Sequence, residues 1–497
     1  MKLVLNGHDE RYTVEQSLMN LLPGELPVYE PITPEDSSWA VITLQEEDAC
    51  RATVELSYQG KKTVGEDERV LAGSAFEQEG QRRHVIARAF FQAACKATGN
   101  TPPWGMLTGV RPDKPVTWAL AEGKSPAQAR AMLETDYFVT PARASLALET
   151  GSAALTAAKK LGPRDIAVYV GIPFCPTRCA YCSFVSHSVE RSFSLVPPYV
   201  EALIKEIRAG GKMAREQGLN CRALYMGGGT PTTLTAEQMD AVLTAFEESF
   251  DLLPCEEITV EAGRPDTITA EKLAVLKSHG VTRVSVNPQT MEDHVLRAIG
   301  RRHTAGDIEK AMELVSAYSF PHVNMDLIAG LPEDTPEGFK RSLDRCLSFG
   351  TDNVTVHTLA LKKGSRILLE GLSIPGPEAV AEMLDYAEPV LRRGGYEPYY
   401  LYRQKYMSGS FENIGWCKSG SECWYNIYIM SELCSILSFG AGGSTKMVEP
   451  GTNHIERVFN LKYPKEYTER PEKCAANQAA FAAFYEKLGL RSERGAI

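Results

Sequence analysis

From about residue 163 the apolar residues gather in short runs without strict alternation, spaced by stretches whose apolar side chains recur three and four residues apart. Six runs predict strands: Ile166–Val170, Ala223–Met226, Ile258–Glu261, Arg283–Val286, Val323–Ile328 and Val354–His357. Between them, Tyr199–Gln217, Ala236–Phe250, Ala270–His279, Ala305–Tyr318 and Pro336–Ser348 predict helices. Strands buried on both faces and separated by helices imply a parallel sheet. Right-handed crossovers then close it into an α/β barrel, whole or partial. In such folds the chemistry sits at the carboxyl ends of the strands.

The flanks follow other rhythms. Up to about Gly80 the pattern is β-rich, with strands expected at Met1–Leu5, Trp39–Leu44 and Ala52–Tyr58. Helices are expected near Arg82–Lys96 and Pro126–Glu134. Thr140 and Pro141 form an N-cap and N1 pair, opening an Ala/Leu-rich helix that Gly162-Pro163 stops after Leu161. From about Gly395, aromatic segments mix with Gly-rich turns and suggest a smaller lobe. The expected organisation is an N-terminal α+β region over 1–162, a partial (β/α)6 barrel over 163–394 and a C-terminal lobe over 395–497.

Composition narrows the function. Of 497 residues, 43% are hydrophobic and 23% charged, as in an ordinary globular protein. The formal charge of −10 argues against non-specific nucleic-acid binding, which needs clustered cations. The N-terminus lacks an apolar signal region, and no apolar run reaches the ~18 residues of a membrane span, so a cytoplasmic location is expected. Twelve cysteines in a reducing compartment do not suggest a disulfide framework. Cys50, Cys95, Cys221, Cys255, Cys346 and Cys474 are scattered singly and read as small hydrophobes.

Cys175, Cys179 and Cys182 differ, with three and then two intervening residues directly after the first barrel strand. Structural zinc takes four ligands, and no fourth Cys or His follows at a suitable local spacing. Iron–sulfur clusters also normally take four thiolates; three leave one iron open. S-adenosylmethionine (SAM) chelates such an iron, and an electron from the cluster cleaves it to methionine and a 5′-deoxyadenosyl radical. The second strand ends in Gly227, Gly228, Gly229 and Thr230, a run that lets a ligand approach the backbone closely.

From Ile166 to Leu461 the chain resembles the radical SAM family of oxygen-independent coproporphyrinogen III oxidases. The likeness rests on the cysteine triplet, the Gly227–Pro231 stretch, Thr259–Ala262, Val286–Gln289, Arg301, Asn324–Pro332 and Phe411–Gly415. Leu107–Pro112 is similar to the HemZ-type coproporphyrinogen dehydrogenase subgroup. The resemblance implies a 4Fe–4S cluster on the triplet and SAM on Gly227–Gly229 and Thr230. It implies that Glu261 pairs with Arg301, that Arg301 holds the SAM carboxylate, that Gln289 and Asp326 meet the ribose, and that Tyr181 lies near the adenine. Tyr169 is a catalytic candidate on the same resemblance.

His357, at the end of the sixth strand, reads equally as a proton donor or substrate contact and as a satisfied core histidine. Arg403 and the tyrosines beside it are candidates for propionate contacts. The implied reaction is oxidative decarboxylation of coproporphyrinogen III to protoporphyrinogen IX. Its partners are a tetrapyrrole, an electron donor to the cluster and an unidentified electron acceptor, and the C-terminal lobe would complete the substrate pocket. Alternatives on the same scaffold are a haem chaperone and an enzyme acting on another tetrapyrrole. Two positions depart from the family pattern: Phe184 replaces a fourth cysteine and Gly171 a histidine. Cys417, Cys423 and Cys434 have irregular gaps and read as core or surface thiols rather than an auxiliary cluster.

Overall fold

The computed structural model describes residues 1–22, 24–182, 187–188, 192–362, 364–404, 411–452 and 454–494, with side chains of 187–188 and 490–494 left aside. Phe184 lies outside the described residues. Packing divides the chain into two compact units, Met1–Leu148 and Glu149–Ile497.

In the first unit, β1 (Lys2–Asn6), β2 (Trp39–Glu46), β3 (Cys50–Tyr58) and β4 (Lys61–Arg69) form a sheet in that order. β1 and β2 are parallel and the other pairs antiparallel. Alternation along β2 and β3 buries Ala40, Ile42, Val54 and Leu56 with Val85, Ile86 and Phe90 of the helix Ala75–Thr98. That helix begins seven residues before the expected Arg82, at a Ser74–Glu77 capping box whose first turns are polar. Three further elements were not anticipated: the helices Arg11–Leu21 and Lys114–Ala121, and β4.

In the second unit, β5 (Asp165–Ile172) leads into a short parallel pair, β6 (Phe174–Cys175) and β7 (His187–Ser188). β8 (Asn220–Gly228), β9 (Glu257–Gly263), β10 (Arg283–Gln289), β11 (His322–Ala329) and β12 (Asn353–Thr358) then follow β5 across one sheet, each parallel to the last. These are the six expected strands, extended by up to three residues at either end. Helices Val196–Glu216, Ala236–Ser249, Ala270–Ser278, Ala305–Ala317 and Pro336–Ser348 separate them.

The C-terminal segment is built onto this sheet. β13 (Tyr396–Tyr402) and β14 (Asn413–Lys418) continue it antiparallel beyond β12. At the opposite edge β15 (Ser435–Phe439) runs parallel to β5, followed by antiparallel β16 (Ser444–Val448) and β17 (Ile455–Phe459). Both edges of the barrel thereby find backbone partners, giving eleven strands in all.

A buried ion pair closes the amino-terminal end of the strands. Arg283 donates to Glu257 at 3.4 Å, to the carbonyls of Ser421 and Glu422 at 3.0 and 2.9 Å, and to Asn353. Glu257 accepts from the backbone of Trp424 and Tyr425 and from the Cys423 thiol. The pair thus caps the helix Trp424–Ser431 and sets its position. Cys417, Cys423 and Cys434 belong to the surrounding apolar core with Tyr399, Tyr425 and Tyr428. Among the described residues no helix is long and apolar enough to cross a membrane.

Candidate active site

The six strands β5 and β8–β12 all contribute residues to the wall of one cavity of about 520 Å³ at their carboxyl ends. It brings together Tyr169, Cys175, Cys179, Tyr181, Cys182, Gly228, Gly229, Thr230, Glu261, Gln289, Arg301, Asp326 and His357. Gly227 lies behind that wall, where a Cβ would stand 3.1 Å from the Glu261 carboxyl.

The cysteine loop is held from several sides. Thr177 Oγ1 donates to Gly300 O at 3.0 Å, and Ala180 N to Ile299 O at 2.9 Å. Gly229 N and Thr230 N donate to Ile172 O and Phe174 O, both at 2.7 Å, which seats the Gly-rich end of β8 under the loop. A Cβ on Gly229 would fall 2.5 Å from Phe174 O and 3.0 Å from Cys175 Sγ, so this glycine is required by the approach. Thr230 Oγ1 donates to Cys175 Sγ at 3.5 Å. Burial pushes the Cys175 thiol up to about 11. Burial also opposes ionisation of Cys179, but the guanidiniums of Arg301 and Arg264 outweigh it and lower that thiol's pKa. Among the described residues no three His, Cys, Asp or Glu side chains converge where a single metal ion would sit. An iron–sulfur cluster does not require such convergence, because it takes its thiolates on separate irons.

The wall beside the cysteine loop is polar and incompletely satisfied. Arg301 donates through Nη1 to Asn287 O at 2.5 Å and through Nη2 to Tyr181 Oη at 3.1 Å. Its Nε, and Oε1 of Gln289, are buried without a hydrogen-bond partner among the described residues. Gln289 also adopts φ 69° at the end of β10, a strained conformation for a residue with a side chain. A buried orphan donor and a buried orphan acceptor on one cavity suit a ligand that carries both hydrogen-bonding functions. Asp326 accepts from Asn324 Nδ2 at 2.8 Å and lies 3.7 Å from His357 Nε2. Burial works against its charge, but His357, Asn324 and Thr355 more than compensate and hold its pKa below the usual value. His357 therefore faces the cavity beside a carboxylate and is not a core histidine.

The expected Glu261–Arg301 ion pair is not formed. Glu261 instead accepts from Tyr225 Oη at 2.5 Å, and burial raises its pKa to about 7. Tyr225, which the sequence reading did not single out, lies two positions before Gly227 on β8 and so shares its face. Its ring stacks on Tyr425 at 4.6 Å, and Tyr169 stacks against both at 6.4 and 6.2 Å. Tyr425 arrives on the helix positioned by Glu257, so a residue from after the six strands joins Tyr169 and Tyr225 in this aromatic wall. Beside Tyr169, the place of the family's histidine is confined: a Cβ on Gly171 would stand 3.3 Å from the Tyr169 ring and 3.4 Å from Phe439 O. Arg403, just after β13, is buried, which lowers its pKa to about 10.

Residues 169–346 match the Radical SAM superfamily. The chain is 38% identical over 397 residues to the oxygen-independent coproporphyrinogen-III oxidase-like protein HemZ of Bacillus subtilis, covering 79% of each chain. Its identity to heme chaperone HemW of Mycobacterium tuberculosis is 28% over 330 residues, 65% of this chain and 77% of that one. Its fold is similar to that of coproporphyrinogen III oxidase (HemN) from Escherichia coli, with a TM-score of 0.52 and 22% identity over 65% of this chain and 72% of that one. The chain belongs to the radical SAM superfamily, whose cofactors are a 4Fe–4S cluster and SAM, in the family of the coproporphyrinogen-III oxidase-like proteins.

Proposed function

We propose that the chain catalyses oxygen-independent oxidative decarboxylation of coproporphyrinogen III to protoporphyrinogen IX, a cytoplasmic step of haem biosynthesis. The observation that carries this reading is the 38% identity to the B. subtilis oxidase-like protein across 79% of both chains. Bound together, cluster and SAM would supply a 5′-deoxyadenosyl radical able to take hydrogen from the β-carbon of a propionate. Loss of CO2 and of one electron to an external acceptor leaves a vinyl group, twice per substrate.

In this reading Cys175, Cys179 and Cys182 hold the cluster. Arg301 offers its buried Nε to the SAM carboxylate, and Gln289 offers its unpartnered Oε1 to a ribose hydroxyl. Asp326 would accept from the other hydroxyl, Tyr181 would meet the adenine, and Gly228, Gly229 and Thr230 would meet the amino end. Glu261 is kept beside that end by Tyr225. The Tyr169–Tyr225–Tyr425 stack excludes water from the reacting carbon. His357, beside Asp326, is placed to hold or donate a proton to the substrate.

A second reading, haem binding and delivery, draws on the 28% identity to heme chaperone HemW. One experiment separates the two. Reconstituted protein is incubated anaerobically with SAM, a reductant, a one-electron acceptor and coproporphyrinogen III, and the products are separated. Protoporphyrinogen IX with released CO2 is expected. SAM cleavage without decarboxylation sinks the proposal, and stoichiometric haem binding with little SAM turnover favours the second reading.

A further inference from the structure

Arg264 has no part in the proposed reaction, yet its side chain is 3% exposed and fully engaged. It follows β9 directly. Its Nε and Nη2 donate to the two carboxylate oxygens of Asp266 at 3.1 and 3.0 Å. Its Nη1 points the other way, to Thr177 Oγ1 at 3.1 Å, Thr177 O at 3.5 Å and Cys179 Sγ at 3.9 Å. Every guanidinium nitrogen is thus bound within the protein, whereas Arg301 keeps one nitrogen unpartnered. Arg264 is not built to grip a ligand. A buried guanidinium needs a counter-charge, and bidentate Asp266 supplies it. That pairing alone would not require the third nitrogen to bridge the cysteine loop.

We propose that Arg264 is a positioning residue for the cluster, which locks the loop at Thr177 and stabilises the reduced cluster through the Cys179 sulfur. The proposal rests on the reading that Cys175, Cys179 and Cys182 ligate the cluster. Reduction adds an electron to a centre already ringed by thiolates. A cation and an N–H donor at one sulfur stabilise that added charge, more so away from water, and raise the reduction potential. Asp266 meets the guanidinium on the edge away from the sulfur and tempers this effect.

The test is a redox titration followed by electron paramagnetic resonance on full-length, anaerobically reconstituted protein without SAM, with iron per chain measured alongside. Arg264→Met should shift the midpoint to more negative potential. Arg264→Lys should return it toward wild type. Asp266→Asn, which strips the counter-charge, should shift it to more positive potential. An unchanged midpoint in Arg264→Met overturns the proposal, as do shifts of the same sign in Arg264→Met and Asp266→Asn, which would report mere loosening of the loop. Should Arg264→Met lose its cluster, Asp266→Asn decides alone, and a negative or absent shift overturns the proposal. Retention of cluster iron after replacing all three cysteines by Ala would overturn the ligand reading itself, and this inference with it.

Discussion

Glu261 shows how one residue's chemistry is set by neighbours far away in sequence. Its carboxyl is buried, meets Tyr225 rather than Arg301, and has its pKa raised from 4.5 to about 7. A carboxyl with a raised folded pKa binds its proton more tightly in the folded state. The stability it lends is full below pH 4.5 and is lost as pH rises through about 7. The difference amounts to about 3 kcal/mol. Glu261→Gln should therefore flatten this part of the pH dependence: in urea melts of the cofactor-free protein, wild type should weaken relative to the variant between pH 5 and 8. Parallel curves for the two proteins would refute the assignment. The cysteine triplet and the Gly-rich run stand out in the sequence because their spacings are local patterns, whereas most of the other candidates rest on the family resemblance. The partners were not legible. Tyr225, Arg264 and Tyr425 reach the cavity through strand register and helix placement, which no local spacing encodes.

The same limit holds for elements. The barrel strands are apolar on both faces and bounded by Gly, Pro and capping residues, so their positions follow from the sequence to within a few residues. β4 escaped notice because it is an exposed edge strand, KKTVGEDER, with a single buried position. β15 escaped because its role is non-local: it adds a parallel strand beside β5 after more than two hundred intervening residues. It also brings the chain after it close to Gly171. The turn after β15 carries Gly440 at φ 90°, and a Cβ there would stand 2.4 Å from Gly171 O and 2.5 Å from Tyr199 Oη. Glu206 accepts from Gly440 N at 2.7 Å and Tyr467 Oη at 2.6 Å, pinning the turn from beneath. Gly440→Ala should cost about 1–3 kcal/mol through overpacking and strain, read as a lowered thermal midpoint. Because β5 leads into the cysteine loop, iron retained after reconstitution should fall as well. An unshifted midpoint would mean that the turn is free to move away from β5.

At the scale of the molecule, capping and stop signals mark where helices begin and end, and a compact unit need not change there. The sequence rhythm changes at Gly162-Pro163, whereas packing divides the chain between Leu148 and Glu149, inside the helix Pro141–Ala158. Ala154 and Ala157 of that helix belong to the apolar core of the second unit. The first unit has a core of its own, drawn from Met1 to Met106 and closed by the helix Ala75–Thr98 over β3 and β4. A domain of about 150 residues buries roughly 68–70% of the surface its unfolded chain exposes, enough to fold alone. Residues 1–148 expressed by themselves should therefore unfold in one cooperative thermal transition, followed by circular dichroism in the far ultraviolet. They contain neither Cys175, Cys179 nor Cys182 and should take up no cluster. Residues 149–497, which carry the triplet and the whole cavity wall, should take up iron on anaerobic reconstitution. A fragment 1–148 that melts without cooperativity would show that its core depends on the rest of the chain, and iron uptake lost from 149–497 would place part of the cluster's support in the first unit.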